Sequence, residues 1–303
     1  MLYQMENQHG GDVYGGGITL DFSANTNPLG TPPGVLEAVC RALPQLHRYS
    51  DPYCRRLVQA IAGHEQVPAS YILCGNGAAD LIYTYCAALR PRTAVEPAPT
   101  FAEYGLGLAQ VGCRVTPYFL HQAENFDVDE GFLPFLEEKK PEVVFLCNPN
   151  NPTGRLLPLP LLEWILQGCA AWGARVFLDE CFLDLTEDGV SAKALLAAHP
   201  ELLILKAFTK SYGMAGIRLG YCLCADSALL HRMASASQPW NVSSLAQSAG
   251  VAALTEQGFL RRTRELIRTE RRWLTDNLTA LGFWVCPSHA NYLLFRGPLG
   301  LRE

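Results

Sequence analysis

The chain has 303 residues, of which 49% are hydrophobic and 17% are charged, and its formal net charge is −5. This length is ample to bury a hydrophobic core in one large domain or two, and the composition is that of a folded protein rather than a disordered one. A weakly acidic chain has no polyanion-binding footprint, and no apolar run reaches the roughly 18 residues of a membrane-spanning helix. We therefore expect no nucleic-acid partner and no membrane span.

Eleven cysteines are present, and most of them lie in apolar runs, where a free cysteine behaves as a small hydrophobic residue. No Cys-x-x-Cys pair occurs, and Cys222 and Cys224 have the wrong spacing for a zinc knuckle. We therefore expect reduced cysteines, no metal site and a cytoplasmic protein.

The first 30 residues are rich in glycine, asparagine and proline, and they predict an extended N-terminal arm. Helices are predicted over 33–43 and over a second segment that ends near His64. A strand at 71–74 is followed by the turn Gly75-Asn76-Gly77 and by a helix over 78–89. A helix that begins after a glycine turn offers free backbone N–H groups to an anion.

Strand-like apolar runs then alternate with helical stretches, at 93–96, 114–118, 143–147, 175–178, 202–205 and 220–224. This alternation predicts an α/β fold with a mostly parallel sheet and helices on both faces. Several runs are followed by polar residues, namely the Asn-Pro-rich stretch 148–154, Asp179-Glu180 and Lys210. Because such sheets bind ligands at the carboxyl ends of their strands, we expect these residues to converge.

After residue 225 the pattern changes to long amphipathic helices at 229–235, 243–255 and 258–281, followed by a last strand at 290–295. We therefore predict three parts: an arm (1–30), a large domain (31–225) and a smaller C-terminal domain (226–303).

The segment 205–221 carries the most informative residues. Lys210 follows a hydroxyl at Thr209 and precedes Arg218, within a stretch punctuated by glycines. A lysine considered alone is most often a solvated side chain, but this set suits an amine that holds an aldehyde cofactor by its phosphate. Asp179, at the end of an apolar run, could instead bind Mg²⁺ as in nucleotide hydrolases; the absence of a G-x-x-x-x-G-K-[ST] sequence counts against that.

The segment around Lys210 resembles the lysine motif of fold-type I pyridoxal-phosphate enzymes, the aminotransferase class that includes the histidinol-phosphate aminotransferases. The resemblance implies that Lys210 is the catalytic lysine that holds pyridoxal 5'-phosphate covalently. It implies that Asp179 pairs with the pyridine nitrogen and that Thr209 and Arg218 bind the phosphate. The chain differs at Ala207, where many relatives have serine or threonine.

The same resemblance implies further cofactor contacts, from Gly77 and Ala78 to the phosphate and from Asn151 to the 3-oxygen of the ring. Phe101 aligns with the aromatic residue that stacks on the ring, and Tyr49 with the tyrosine that reaches the phosphate of the neighbouring subunit. A homodimer with shared active sites is therefore expected. On the residues alone, the Asn-Pro pairs could form a simple turn and Phe101 could be a core residue.

Within this family, the sequence is similar to the threonine-phosphate decarboxylases of cobalamin synthesis, through the stretches 9–11, 21–30, 101–104 and 238–241 and through Phe182, where aminotransferases usually have tyrosine. This implies that His9 and Gly10 contact the substrate phosphate and that Asn25 and Asn151 contact the substrate near the cofactor. The expected substrate is O-phospho-L-threonine, a small phosphorylated amino acid.

Three alternatives remain open. A histidinol-phosphate-type aminotransferase would use the same residues, with a different substrate bond aligned. Relatives continue beyond the last predicted strand with arginines that grip the substrate, so the small domain is expected to be truncated and the chain could be an inert cofactor-binding protein. A Mg²⁺-dependent nucleotide hydrolase is the remaining alternative.

Overall fold

A computed structural model describes residues 10–15 and 17–297. Its helices are α1 (Pro33–Ala42), α2 (Arg55–Glu65), α3 (Ala78–Leu89), α4 (Glu103–Gln110), α5 (Phe132–Lys139), α6 (Leu159–Trp172), α7 (Phe208–Ser211), α8 (Ser227–Ala236), α9 (Ser244–Ala253) and α10 (Phe259–Ala280). Its strands are β1 (Ile72–Gly75), β2 (Thr93–Ala98), β3 (Arg114–Phe119), β4 (Val143–Cys147), β5 (Arg175–Asp179), β6 (Leu202–Ala207), β7 (Gly220–Cys224), β8 (Trp284–Val285) and β9 (Phe295–Arg296). No helix in the described ranges combines the length and the apolarity needed to cross a membrane.

Seven strands form one sheet, in the order β1-β7-β6-β5-β4-β2-β3. Among the described strands of this sheet, β7 runs in the opposite direction to the other six. The strands predicted between residues 71 and 224 are all present, with ends that differ by at most two residues. The prediction of a mostly parallel α/β sheet is therefore confirmed.

The sheet is buried on both faces because its central strands are continuous apolar runs. Every residue of β6 and β7 is buried. Alternate side chains of β6 enter different cores: Leu202 and Ile204 pack with residues of α1, α2, α6 and α9, whereas Leu203 and Leu205 pack with residues of α3, α4 and α8. This alternation follows from the two-residue period of a strand, and it confirms helices on both faces.

Helices α8, α9 and α10 form where the amphipathic pattern predicts them. Asp226 and Ser243 cap α8 and α9 by accepting hydrogen bonds from the backbone N–H groups of the first turn. Helix α8 packs against α3, and α9 packs against α1 and α2. The division at residue 226 into a large and a small domain stays a prediction.

The last strand differs from its prediction at 290–295. Strand β9 begins at Phe295 and pairs antiparallel with β8, so residues 286–294 lie outside both strands. In this stretch the Ser288 hydroxyl donates to the carbonyl of Tyr292 at 2.7 Å, and the Asn291 amide donates to carbonyls of the N-terminal arm. These bonds of the segment go to side chains and to the arm rather than to a neighbouring strand, so the prediction was wrong for residues 290–294.

Candidate active site

The residues selected from the sequence meet at one edge of the sheet. Asp179 is the last residue of β5, Lys210 follows β6 in α7, and Gly77 follows β1. Because β7 is antiparallel, its first residue, Gly220, lies beside the last residues of β1 and β6. Arg218 is thereby brought to the carboxyl ends of the parallel strands, which is where sheets of this kind bind ligands.

Asp179 is a buried carboxylate, with 5% of its surface exposed. The Tyr104 hydroxyl donates to its Oδ2 at 2.7 Å, and the backbone N–H of Cys181 donates to its Oδ1 at 2.8 Å. Burial raises the pKa of Asp179, although these hydrogen bonds and the charge of Lys210 oppose the shift. A carboxylate with spare acceptor capacity and a raised pKa can share a proton with a basic ring nitrogen placed against it.

Lys210 is half-buried, and its Nζ lies 5.3 Å from the centroid of the Phe182 ring. Burial lowers the pKa of Lys210, and the positive charge of Arg218 acts in the same direction. A lower pKa leaves more of the amine neutral, and the neutral amine is the form that attacks a carbonyl carbon. The environment therefore favours Lys210 as a nucleophile.

A cradle for an anion forms where α3 begins. Gly77 has a φ of +88°, a conformation that favours glycine, and a Cβ there would lie 2.6 Å from Arg218 Nη2. A Cβ at Gly220 would lie 2.9 Å from the backbone nitrogen of Ala78. Gly77 has no side chain with which to cap α3, so the first N–H groups of the helix are available to an anion beside the guanidinium. This arrangement suits a phosphate group.

Comparison with known proteins assigns the chain to a family. The sequence profile of the family "Aminotransferase class I and II" matches residues 18–301. The chain belongs to this family. A threonine-phosphate decarboxylase from Salmonella typhimurium is 40% identical over 278 residues, which cover 91% of this chain and 76% of that relative.

Two solved structures share the fold. The histidinol-phosphate aminotransferase from Clostridium acetobutylicum superimposes with a TM-score of 0.84 at 27% identity, covering 91% of this chain and 82% of that one. The L-threonine-O-3-phosphate decarboxylase from Porphyromonas gingivalis gives a TM-score of 0.79 at 26% identity, covering 91% of this chain and 81% of that one. The family match over residues 18–301 includes all seven strands of the large sheet.

The residues at this edge fit pyridoxal 5'-phosphate, which carries an aldehyde, a phosphate and a basic ring nitrogen. The amine of Lys210 suits the aldehyde, and the guanidinium of Arg218, which packs against Gly77 at the start of α3, suits the phosphate. Within the described chain, Asp179 has no cationic side chain at salt-bridge distance, so its carboxylate can pair with the nitrogen of a bound ring.

In the loop after β4, hydrogen bonds hold the side-chain amide of Asn150, whereas that of Asn151 has none within the described chain. The Asn150 Oδ1 accepts a hydrogen bond from the Thr100 hydroxyl at 2.9 Å, and its Nδ2 donates to the Thr153 hydroxyl at 3.0 Å. The side chain of Asn151 is half-buried and makes no hydrogen bond within the described chain. Its amide can therefore serve a ligand, as the sequence predicts.

Phe101 and Thr209 lie beside the central groups of the site. The ring of Phe101 meets that of Tyr104 edge to face, with centroids 5.6 Å apart, and it is therefore next to the partner of Asp179. Thr209 directly precedes Lys210 in α7 and is half-buried. The structure thus brings both residues to the site.

Tyr49 lies at the surface, with 82% of its area exposed. It stacks on Trp240 with ring centroids 4.6 Å apart. Leu46 and Tyr53, close to it in the chain, are also more than half exposed. Within one chain, Tyr49 has no contact with Lys210 or Asp179 among the described interactions.

The residues predicted to bind substrate lie on the arm. Gly10 packs so closely on Ser23 that a Cβ would lie 1.9 Å from the serine carbonyl oxygen. The carbonyl of Asn25 accepts a hydrogen bond from Asn291 Nδ2 at 3.3 Å. His9, predicted to contact the substrate phosphate, is outside the described residues.

The structure adds groups to which the sequence assigned no role. Tyr104 donates a hydrogen bond to Asp179, and its sequence signal was its place in the stretch 101–104, which resembles that of the decarboxylases. The side chain of Lys206, 5% exposed, lies 3.1 Å from Asp184 and 3.3 Å from Glu65. Burial acts to lower the pKa of Lys206, but these carboxylates and Glu180 outweigh it and raise the pKa. The sequence signal that was available for Lys206 is its position directly after the apolar run 202–205.

Proposed function

We propose that the protein is a pyridoxal-phosphate-dependent carboxy-lyase that converts O-phospho-L-threonine to (R)-1-amino-2-propanol O-phosphate and CO₂, a step of cobalamin biosynthesis. The observation that carries the proposal is the meeting of an amine (Lys210), a buried carboxylate (Asp179) and an anion cradle (Gly77 and Arg218) at one edge of the sheet. The sequence that builds it is 40% identical to a threonine-phosphate decarboxylase.

When bound, pyridoxal phosphate supplies an electron sink for the pair of electrons left at the substrate Cα. Arg218 and the N–H groups at the start of α3 would hold the phosphate of the bound cofactor. Asp179 keeps a proton on the ring nitrogen. The carboxylate of the substrate leaves as CO₂, and Lys210 delivers a proton to the substrate Cα in its place.

We assign the remaining contacts in keeping with the predicted roles. Asn151 contacts both the ring and the substrate, and Gly10 and Asn25, with His9 on the same arm, contact the substrate. Because the carboxylate must stand perpendicular to the ring for its bond to break, these contacts decide which bond of the substrate is cleaved.

We infer that the working form is a homodimer with shared active sites, placed in the reducing cytoplasm. Tyr49 is exposed and stacked on Trp240, so it is positioned to reach outward to the cofactor phosphate of a partner subunit. All eleven cysteines are free, which suits a reducing compartment.

The second candidate is a histidinol-phosphate-type aminotransferase, and the TM-score of 0.84 to such an enzyme favours it. It would align the Cα–H bond instead and use Lys210 as the base. Phe182 disfavours this reading, because aminotransferase relatives usually have a tyrosine hydroxyl at that position.

The deciding experiment is to supply the cofactor-loaded protein with O-phospho-L-threonine, with and without 2-oxoglutarate, and to measure CO₂. Release that is independent of 2-oxoglutarate, with aminopropanol phosphate as product, is the expected result. Glutamate formed from 2-oxoglutarate with histidinol phosphate as the amino donor, and no CO₂, would move the protein to the aminotransferases. Stable cofactor binding without either reaction would contradict both assignments.

The Lys210→Ala variant tests the site itself. We expect it to lose turnover, because the proton donor to Cα is gone, while it keeps some non-covalent affinity for the cofactor. Lys139→Ala is the matched control, since Lys139 is a surface lysine on α5 that pairs with Glu138. Full activity of Lys210→Ala would exclude the proposed role.

A further inference from the structure

The turn that carries Lys210 is held by buried polar bonds on both sides. Ser211, the residue after the lysine, is 1% exposed. Its backbone carbonyl accepts a hydrogen bond from Asn27 Nδ2 at 2.8 Å, and its hydroxyl donates to Asp184 Oδ2 at 2.9 Å. The backbone next to the lysine is therefore fixed by the N-terminal arm and by the turn that follows β5.

Asn27 itself has a single orientation. It is 4% exposed, and its Nδ2 also donates to the Thr263 hydroxyl of α10 at 3.0 Å. Its Oδ1 accepts from the backbone N–H of Leu29 at 2.9 Å. Both amide protons and the amide oxygen are therefore used, and rotating the amide by half a turn would place like groups against each other.

The end of the arm and Thr31, the residue after it, also contact the chain beyond Ser211. The Thr31 hydroxyl donates to the carbonyl of Gly213 at 2.7 Å. A Cβ at Gly213, whose φ is +60°, would lie 2.6 Å from the carbonyl oxygen of Gly30. The arm and Thr31, the residue after it, thus contact the lysine turn at two separate points, with Asn27 at the point nearer to Lys210.

We propose that Asn27 is a positioning residue for Lys210. It fixes the carbonyl of Ser211 and so sets the direction in which the lysine side chain leaves α7. Because Gly10 and Asn25, the proposed substrate contacts, lie on the same arm, the order of that arm and the position of the lysine amine are coupled. The inference rests on the proposed role of Lys210 and is independent of which phosphorylated amino acid binds.

The test uses Asn27→Ala loaded with pyridoxal phosphate. Three quantities are measured: the fraction of cofactor fixed to the protein by borohydride reduction, the midpoint of the visible absorbance titration with pH, and kcat and KM for O-phospho-L-threonine. We expect the reducible fraction to fall, the midpoint to shift and kcat to fall about 10-fold or more, because a displacement of about 1 Å in a reacting group is that costly. We expect kcat to change more than KM, because Asn27 makes no proposed substrate contact and affects the substrate only through the order of the arm.

Two further variants make the test decisive. Asn277→Ala is the matched control: Asn277 is an exposed asparagine on α10 whose amide also donates to a backbone carbonyl, that of Trp273, at 2.8 Å. We expect wild-type values for it. Thr263→Val removes one partner of Asn27 without touching Ser211, and it should move all three quantities in the direction of Asn27→Ala by a smaller amount.

A folded Asn27→Ala protein with the wild-type titration, reducible fraction and kcat would overturn the inference. If Asn27→Ala does not fold, Thr263→Val decides, and wild-type values for it would also overturn the inference. A wild-type protein that binds the cofactor through Lys210 but releases no CO₂ would contradict the proposed function. The titration and the reduction would still test Asn27 in that protein.

Discussion

Asp179 and Glu180 are consecutive carboxylates that lie in two different buried environments. Asp179 is held by a tyrosine hydroxyl and a backbone N–H. Glu180 is fully buried, accepts from the Ser191 hydroxyl at 2.6 Å and lies 4.0 Å from the Nζ of Lys206. Burial raises the pKa of both, so burial alone does not distinguish a functional carboxylate from a structural one.

The charged neighbours make the difference. The Lys206 cluster, which comprises Lys206, Glu65, Glu180 and Asp184, places a buried ammonium among carboxylates on the face of the sheet that Leu202 and Ile204 share. Asp179 lies on the other face, with no cationic side chain at salt-bridge distance in the described chain. In the cluster, the Lys206 ammonium partly compensates the charge of three carboxylates, whereas Asp179 has no such neighbour and can pair with a cationic group of a ligand.

Of the variants that test this comparison, Asp179→Asn is expected to have the largest effect. An amide cannot keep a proton on the ring nitrogen, so CO₂ release should fall about 1000-fold, equivalent to roughly 4 kcal/mol of barrier. The free energy of unfolding should change by less than about 1 kcal/mol, because an uncompensated buried carboxylate is removed. Asp276→Asn, at an exposed position on α10, is the control. If Asp179→Asn lost much stability but kept normal turnover, Asp179 would be a structural carboxylate rather than a functional one.

Lys206→Met should show the opposite pattern, with its main effect on stability. Removing the ammonium leaves buried carboxylates unpaired, which costs about 3–5 kcal/mol of unfolding free energy. Urea denaturation measures this loss. Lys139→Met, at a surface lysine, should stay within about 0.5 kcal/mol of the wild type. Equal stability of the two variants would show that the Lys206 cluster is not structural.

The smallest effect is expected from Tyr104→Phe. The Tyr104 hydrogen bond lowers the pKa of Asp179, so its loss should raise that pKa further. The carboxylate would then take up a proton at higher pH, and the acid limb of the kcat/KM profile should move upward. Tyr118→Phe, which removes a tyrosine–aspartate bond at the surface, should leave the profile unchanged.

Features with a local cause could be predicted from the sequence. The apolar runs at 143–147 and 220–224 became strands with the same ends, and the glycine turn before Ala78 became the start of α3. Strand period and turn chemistry act over a few residues, and the sequence displays them directly. The residues gathered at the carboxyl edge followed from the order of strands and loops.

Features that depend on distant contacts could not be predicted. Tyr104 and Asp179 are 75 residues apart, and Asn27 and Ser211 are 184 apart. Nothing in the local pattern around Asn27 separates a buried amide with fixed partners from a residue in an exposed turn. The prediction of the last strand was wrong for the same reason, since the Asn291 side chain donates hydrogen bonds to arm residues that lie 265 and 266 positions earlier.

The reversal of β7 has a consequence for how the site can change. Because β7 returns antiparallel beside β6, the connection 208–219 begins and ends at one edge of the sheet, and it carries both Lys210 and Arg218. The spacing between the amine and the guanidinium is therefore set by the path of a single short loop. An insertion or deletion in that loop would move Lys210 and Arg218 together relative to a bound molecule. The length of the loop is therefore constrained by the size of the molecule that these two side chains would hold.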